Sequence, residues 1–308
     1  MTQIEVRPAT LDDVLAITAI HCSDVDRWRD PTTREVVAYE DLSLYGRWRN
    51  GGPWMSVESC AVHLNALLRA GHIALVAEME GAVVGEAEYY VNVEPEPYTA
   101  FHLSVLYVHR DWQGRGIGGA LLEAGLERAK SLRLPQITTQ PDEGSQAFYA
   151  HFGFNPWRMG REMQLLARGA PPLGLHPLEV DAGPPATLAL RIGRYQCGVQ
   201  GWEALWPTLV LPGWSDLRRW VWSVDLENGP AILGLREQLT DATQADGYAW
   251  LLPEVDLAPA VAALRALAHL QGFGAVDLLL PSAALLELRE RFRLDYQSRV
   301  EIWLRALE

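Results

Sequence analysis

His102-Leu-Ser-Val-Leu-Tyr-Val-His-Arg-Asp-Trp-Gln-Gly-Arg-Gly-Ile-Gly-Gly119 changes its period partway along, and that change decides the fold. Leu103, Val105 and Tyr107 alternate with Ser104 and Leu106 in a β-branched and aromatic run, the pattern of a strand. Ile117, Leu121, Leu122, Leu126 and Ala129 then recur at helical spacing, so a helix is expected over 117–131. Between the two lies Gln113-Gly-Arg-Gly-Ile-Gly118. A glycine-rich bend that opens a helix presents backbone N–H groups with no intrahelical acceptor, beside the positive end of the helix dipole. Phosphate is the usual anion at such a place.

Gly114, Gly116 and Gly119 also spell the dinucleotide pattern Gly-x-Gly-x-x-Gly. That fingerprint follows a first strand and takes an acidic ribose ligand about 20 residues further on. Here more than a hundred residues precede the motif, and Leu134-Pro135 stands where the carboxylate belongs. The dinucleotide reading is therefore set aside. A turn with no ligand is the other alternative; three glycines in five residues cost backbone entropy that a purely structural bend need not spend.

Gln113-x-x-Gly116-x-Gly118 follows an apolar strand ending in Leu-Tyr-Val and is followed by Ser145-Gln-Ala-Phe-Tyr-Ala-His-Phe-Gly-Phe154. Together the two segments resemble the Gcn5-related N-acetyltransferase (GNAT) superfamily, over roughly residues 1–168. The resemblance implies an α/β fold, a mostly antiparallel mixed sheet flanked by helices, and an acetyl-CoA-dependent N-acetyltransferase without a metal, acting by direct attack in a ternary complex. It also implies roles. Backbone groups of Gln113, Gly114, Arg115, Gly116, Ile117, Gly118 and Gly119 would cradle the pyrophosphate of coenzyme A. Those of Leu106 and Val108 would hold the acyl carbonyl and the pantetheine arm where the strand splays from its neighbour.

Tyr149 matches the tyrosine that protonates the departing thiolate. An aromatic core is its alternative role, but Phe148 and Phe152 share a helical face from which Tyr149 is turned by about 100°. Asp142 stands where the family often has asparagine, and with Ser145 it marks a coenzyme contact. Counting eleven residues back from Gln113 reaches His102, at the position of the general base; a structural histidine is equally sensible there. Glu86 and Glu88, on one face of the preceding strand, compete for that role or for binding a cationic acceptor. Residues 21–60 would line the acceptor pocket.

Composition bounds the partners. A chain of 308 residues, 49% hydrophobic, supplies two domains. A net charge of −13 argues against nucleic acid and anionic membranes. Cys22, Cys60 and Cys197 form no Cys-x-x-Cys pair, so neither a disulfide framework nor a zinc cluster is expected. The first residues carry no basic and apolar leader and no apolar run reaches membrane-spanning length, so a cytoplasmic location is expected.

Domain organisation follows from composition shifts. Residues 1–168 form the acyltransferase domain, 169–185 a stiff proline- and glycine-rich linker, and 186–308 a degenerate copy of the same fold. In that copy strands are expected over 188–192, 231–236, 248–252, 275–280 and 300–304, with helices over 214–224, 259–270 and 283–293. In place of the glycine bend stands Pro253-Glu-Val-Asp-Leu-Ala-Pro259, whose two carboxylates would repel a pyrophosphate. Three functions fit: a tandem N-acyltransferase acting on a primary amine of a small molecule or peptide, a non-catalytic acyl-CoA-binding sensor or assembly module, and a tandem acetyltransferase resembling mycothiol synthase. The acidic stretch Asp24–Asp41 favours a small amine as partner. The second half suggests either a monomer with an intramolecular pseudo-dimer or a homodimer.

Overall fold

The computed structural model describes residues 3–178, 183, 186–193, 197–205, 217–238 and 241–307. The first half runs β1 (Ile4–Pro8), α1 (Val14–Cys22), α2 (Leu44–Trp48), α3 (Val57–Arg69), β2 (Ile73–Met79), β3 (Ala82–Asn92), β4 (Ala100–Val108), α4 (Ile117–Ser131), β5 (Gln136–Thr139), α5 (Gln146–His151) and β6 (Asn155–Leu166). The start of α1 follows from its sequence: Thr10 and Asp13 close a capping box over a short 3-10 turn. Glu80 and Gly81, both with positive φ, turn β2 into β3, the conformation that matches the twist of paired strands.

The second half runs β7 (His176–Pro177), β8 (Ala189–Ile192), α6 (Gly198–Glu203), β9 (Arg219–Leu226), β10 (Gly229–Glu237), β11 (Gln244–Leu251), α7 (Ala258–Leu270), β12 (Ala275–Pro281), α8 (Leu285–Arg291) and β13 (Asp295–Ala306). Two expectations are corrected here. The segment expected as a helix over 214–224 is the strand β9 from Arg219 onward, while 214–216 lie outside the described residues. Trp220, Trp222 and Val224 alternate, and Asn228-Gly229 begins the return strand; that turn signal outweighs the helical spacing of Leu217, Val221 and Val224. The stretch expected as linker contributes β7, which pairs with β9.

All these strands form one sheet, ordered β1-β2-β3-β4-β5-β13-β6-β12-β11-β10-β9-β7, with β8 beside β11. The pairs β4–β5 and β11–β12 are parallel and the others antiparallel, which makes the sheet mixed. The halves exchange strands across their junction. β13, the last strand of the chain, lies between β5 and β6, while β6 of the first half lies against β12 of the second. Neither half completes its own sheet.

Helices α4 and α7 cover one face. Under α4 lie Leu75, Ala87, Tyr89, Phe101 and Leu103, joined by Trp303 from β13; under α7 lie Leu233, Val276 and Leu278, joined by Met163 and Leu165 from β6. Each core therefore contains a residue or two from the other half. α1, α3 and α6 pack on the opposite face. At Gly125, α4 touches the sheet so closely that an added Cβ would lie 2.2 Å from the Tyr89 hydroxyl, which donates to Leu121 O at 3.0 Å.

Candidate active site

The bend between β4 and α4 has the form expected of an anion site. Gly114 and Gly116 have φ of 73° and 86°, which non-glycine residues adopt at a cost, and a Cβ on Gly114 would meet nothing within 4 Å. Gly116 is the N-cap of α4 and Ile117, buried in the core, anchors its first turn. The bend itself is exposed, so the first N–H groups of α4 have no intrahelical acceptor and face solvent. Arg115 lies over Trp112, 4.7 Å from the ring centre, and is exposed beside the bend. Gly118 and Gly119 have a second reason to be small: Phe148 and Phe152 of α5 press against them, and a Cβ on Gly119 would lie 3.0 Å from Phe152. Gln113 donates to Val108 O at 3.2 Å, closing the end of β4.

β4 parts from β5 beyond the level of Leu103. Their pairing is confined to Phe101–Ile137, His102–Thr138 and Leu103–Thr139. β4 continues to Val108 while β5 ends at Thr139, so Leu106 and Val108 have no strand partner on that side, and Val108 O accepts from the Gln113 side chain. A bulge at Glu88/Tyr89 against Ser104 turns β4 at the same level. Tyr149 is buried at this parting, its hydroxyl against the Thr139 side chain, and burial pushes it up to about 12. It also packs edge-on to Phe148 and Phe154, within the core under α4. Asp142 Oδ1 accepts from the backbone N–H of Ser145, the N-cap residue of α5, at 2.7 Å.

His102 is buried on the opposite face from α4, with Nδ1 3.0 Å from Thr138 Oγ1. Burial pushes its imidazole down to about 4, so the ring is neutral at pH 7. It lines a cavity of about 420 Å³ between the two halves.

Glu86 and Glu88 lie further along the same face, each about 1% exposed and each closed by a histidine. Glu88 is ionised: His63 Nε2 lies 2.9 Å from Oε2 and Trp54 Nε1 donates to Oε1 at 2.7 Å. Although burial opposes the charge, the His63 cation and these hydrogen bonds hold its carboxyl below the ordinary range. Glu86 is driven the other way, by burial first and the Glu88 charge second. It hydrogen-bonds His21 Nε2, and burial pushes His21 down to about 4. One pair is thus ionic and its neighbour neutral, because two adjacent buried carboxylates do not both ionise. His21 stacks between Trp54 and Tyr107, with ring centres at 4.8 and 4.3 Å.

His21 and Trp54 fall within the stretch 21–60 expected beside the acceptor but were not singled out there, and His63 lies outside it. They come from α1, α3 and the 3-10 turn before it, and no spacing links them to β3. Helical register offered one weak signal, since Cys60, Leu64 and Leu67 set the buried face of α3 beside His63.

The second half lacks both halves of this arrangement. Asp256 Oδ1 accepts from Ala258 N at 2.8 Å, filling the start of α7 with the chain's own carboxylate, and Arg291 pairs with its other oxygen at 3.1 Å. The wedge beyond the β11–β12 pairing is filled by β8, whose Ile192, Leu190 and Ala189 pair with Ala249, Trp250 and Leu251. Among the described residues no group of three or more His, Cys, Asp or Glu is placed to hold a metal ion, and no helix is long and apolar enough to cross a membrane.

A mixed sheet parted beside a glycine bend is thus followed in the second half by a mixed sheet without that bend. Residues 27–154 match the Acetyltransferase (GNAT) family. The whole architecture is shared with a GCN5-related N-acetyltransferase from Anabaena variabilis (12% identity, TM-score 0.63, covering 99% of this chain and 73% of that one). A GCN5-related N-acetyltransferase from Kribbella flavida is also similar (14% identity, TM-score 0.53, covering 99% and 71%). No curated protein matches the sequence.

Proposed function

We propose that the chain transfers an acetyl group from acetyl-CoA to a primary amine, at a single site in its first half. The observation that carries this is the parting of β4 from β5 after Leu103–Thr139, with the Tyr149 hydroxyl on Thr139 and the open start of α4 beyond. Backbone N–H groups of residues 114–119 bind the pyrophosphate. The unpaired edge of β4 at Leu106 and Val108 takes the pantetheine arm and polarises the thioester carbonyl. A buried tyrosine raised to about 12 stays protonated at neutral pH, and Tyr149 gives its proton to the leaving thiolate.

Among the three candidate bases, His102 has the ring that lines a cavity and is neutral at pH 7; because burial holds it near 4, it serves as base for an amine that arrives uncharged. Glu86 and Glu88 are each occupied by a histidine behind the sheet surface, and with Tyr107 they set the field of the site. Attack is direct: burial raises the Cys22, Cys60 and Cys197 thiols, opposing the thiolate that a covalent route would need.

Calorimetric titration with acetyl-CoA tests the donor site. One site per chain is expected, lost in Gly116→Asp and retained within about tenfold in Gly116→Asn, since both residues tolerate the left-handed backbone and only Asp adds charge. Two sites, or equal effects of the two substitutions, would refute it.

A further inference from the structure

We propose that the cavity between the halves is the acceptor site, and that it selects an amine whose far end carries a carboxylate, bound by Arg158. The inference rests on the acetyltransferase reading above and adds the class of acceptor. The cavity lies over the centre of the sheet, on the face away from α4 and α7. Its wall includes Glu94, Tyr98, His102, Arg158, Arg191 and Ser282, so both halves of the chain build it. About 420 Å³ suits a small molecule or short peptide.

Arg158 enters from β6 and is clamped between two rings, its guanidinium carbon 3.8 Å from the centre of Tyr98 and 3.6 Å from that of Trp157. The clamp leaves the edge of the guanidinium free, and among the described residues no protein acceptor hydrogen-bonds it. Glu94 does not neutralise it by contact. Its Oε1 accepts from Leu190 N at 2.6 Å and its Oε2 from Asn92 Nδ2 at 2.6 Å. Arg191, over the same Tyr98 ring at 5.9 Å, adds a second cation. Burial pushes Arg158 down to about 10, outweighing the opposing pull of Tyr98 and Glu94.

A guanidinium with a free edge binds carboxylate or phosphate in a forked pair. The Glu94 charge in the same wall disfavours a dianion, which leaves the singly charged carboxylate. Because Arg158 stacks on Tyr98, ahead of β4, while β4 and β5 part beyond Leu103, the acid and the amine must sit at opposite ends of the acceptor, with His102 between them.

The test is a calorimetric titration of the full chain, saturated with coenzyme A so that no turnover occurs. The probes are matched pairs of free acid and amide: β-alanine, 6-aminohexanoate and triglycine, each with its carboxamide. At least one acid is expected to bind tenfold or more tightly than its amide. Arg158→Met, which keeps the stem between the rings, should erase that preference while leaving coenzyme A affinity unchanged. Should Arg158→Met not fold, Arg158→Lys keeps the charge without the fork and should cut the preference at least threefold. No acid preferred over its amide, or a preference that survives these substitutions, would overturn the inference. A chain that takes up acetyl-CoA but shows no preference defeats this inference alone, whereas failure to bind acetyl-CoA defeats the acetyltransferase reading.

Discussion

Tyr149 and His102 are both buried, and in each case burial favours the form that is neutral at pH 7, the form that the proposed roles of proton donor and proton acceptor require. Tyr149→Phe is expected to lower kcat about 100-fold and to leave the acetyl-CoA Kd within about twofold; unchanged turnover would return the chain to the sensor alternative. His102 has a consequence for stability as well. Its folded pKa of about 4 lies below the ordinary 6.5, so the unfolded chain binds more protons between those values. The contribution is complete above pH 6.5 and falls by about 1.4 kcal/mol per unit as the pH drops toward 4. His102→Asn should therefore lose about 2 kcal/mol less than the parent between pH 7 and pH 5 in denaturant unfolding. Equal losses would show the ring to be solvated. His21 keeps a similar slope in the variant. At this scale the glycines, Tyr149 and His102 were legible because a counted motif places them. His21, His63 and Trp54 were not, since each meets β3 only through the packing of a separate element.

Elements read from periodicity came out where local pattern and tertiary partner agree, as in β4 and α4. They failed at β9, where Leu217, Val221 and Val224 suggest a helix but pairing with β10 decides for a strand. The seating of α4 offers a prediction whose sign depends on tertiary contact. In a free helix, glycine to alanine stabilises by up to about 1 kcal/mol. At Gly125 the new methyl would lie 2.2 Å from the Tyr89 hydroxyl and 2.3 Å from its Cζ. Gly125→Ala is thus expected to destabilise by about 1–3 kcal/mol, read from the denaturant midpoint; a stabilised variant would mean that α4 shifts freely on the sheet. The plugging of the second wedge by β8 belongs to this scale too. The loss of glycine at Pro253–Pro259 announced a closed second site, but the strand that fills it had no local mark.

The molecule as a whole is held together by exchange. β13 lies between β5 and β6, so residues 295–306 complete the sheet that carries Tyr149 and the glycine bend. A chain ending at residue 294 is therefore expected to lose cooperative unfolding and acetyl-CoA binding together, although every expected site residue precedes 168. Retained binding would show that the first half closes its sheet alone. The sequence by itself determined the periods and the glycine-rich bend that opens α4, because each is settled within a few residues by backbone conformation and side-chain alternation. Only the tertiary structure decided which strands are neighbours, how Glu86 and Glu88 divide one charge between them, and that Arg158 meets Tyr98 and His102 around one cavity. Alternation states that a strand has a buried face and leaves its partner open; that choice is made by contacts between segments more than a hundred residues apart.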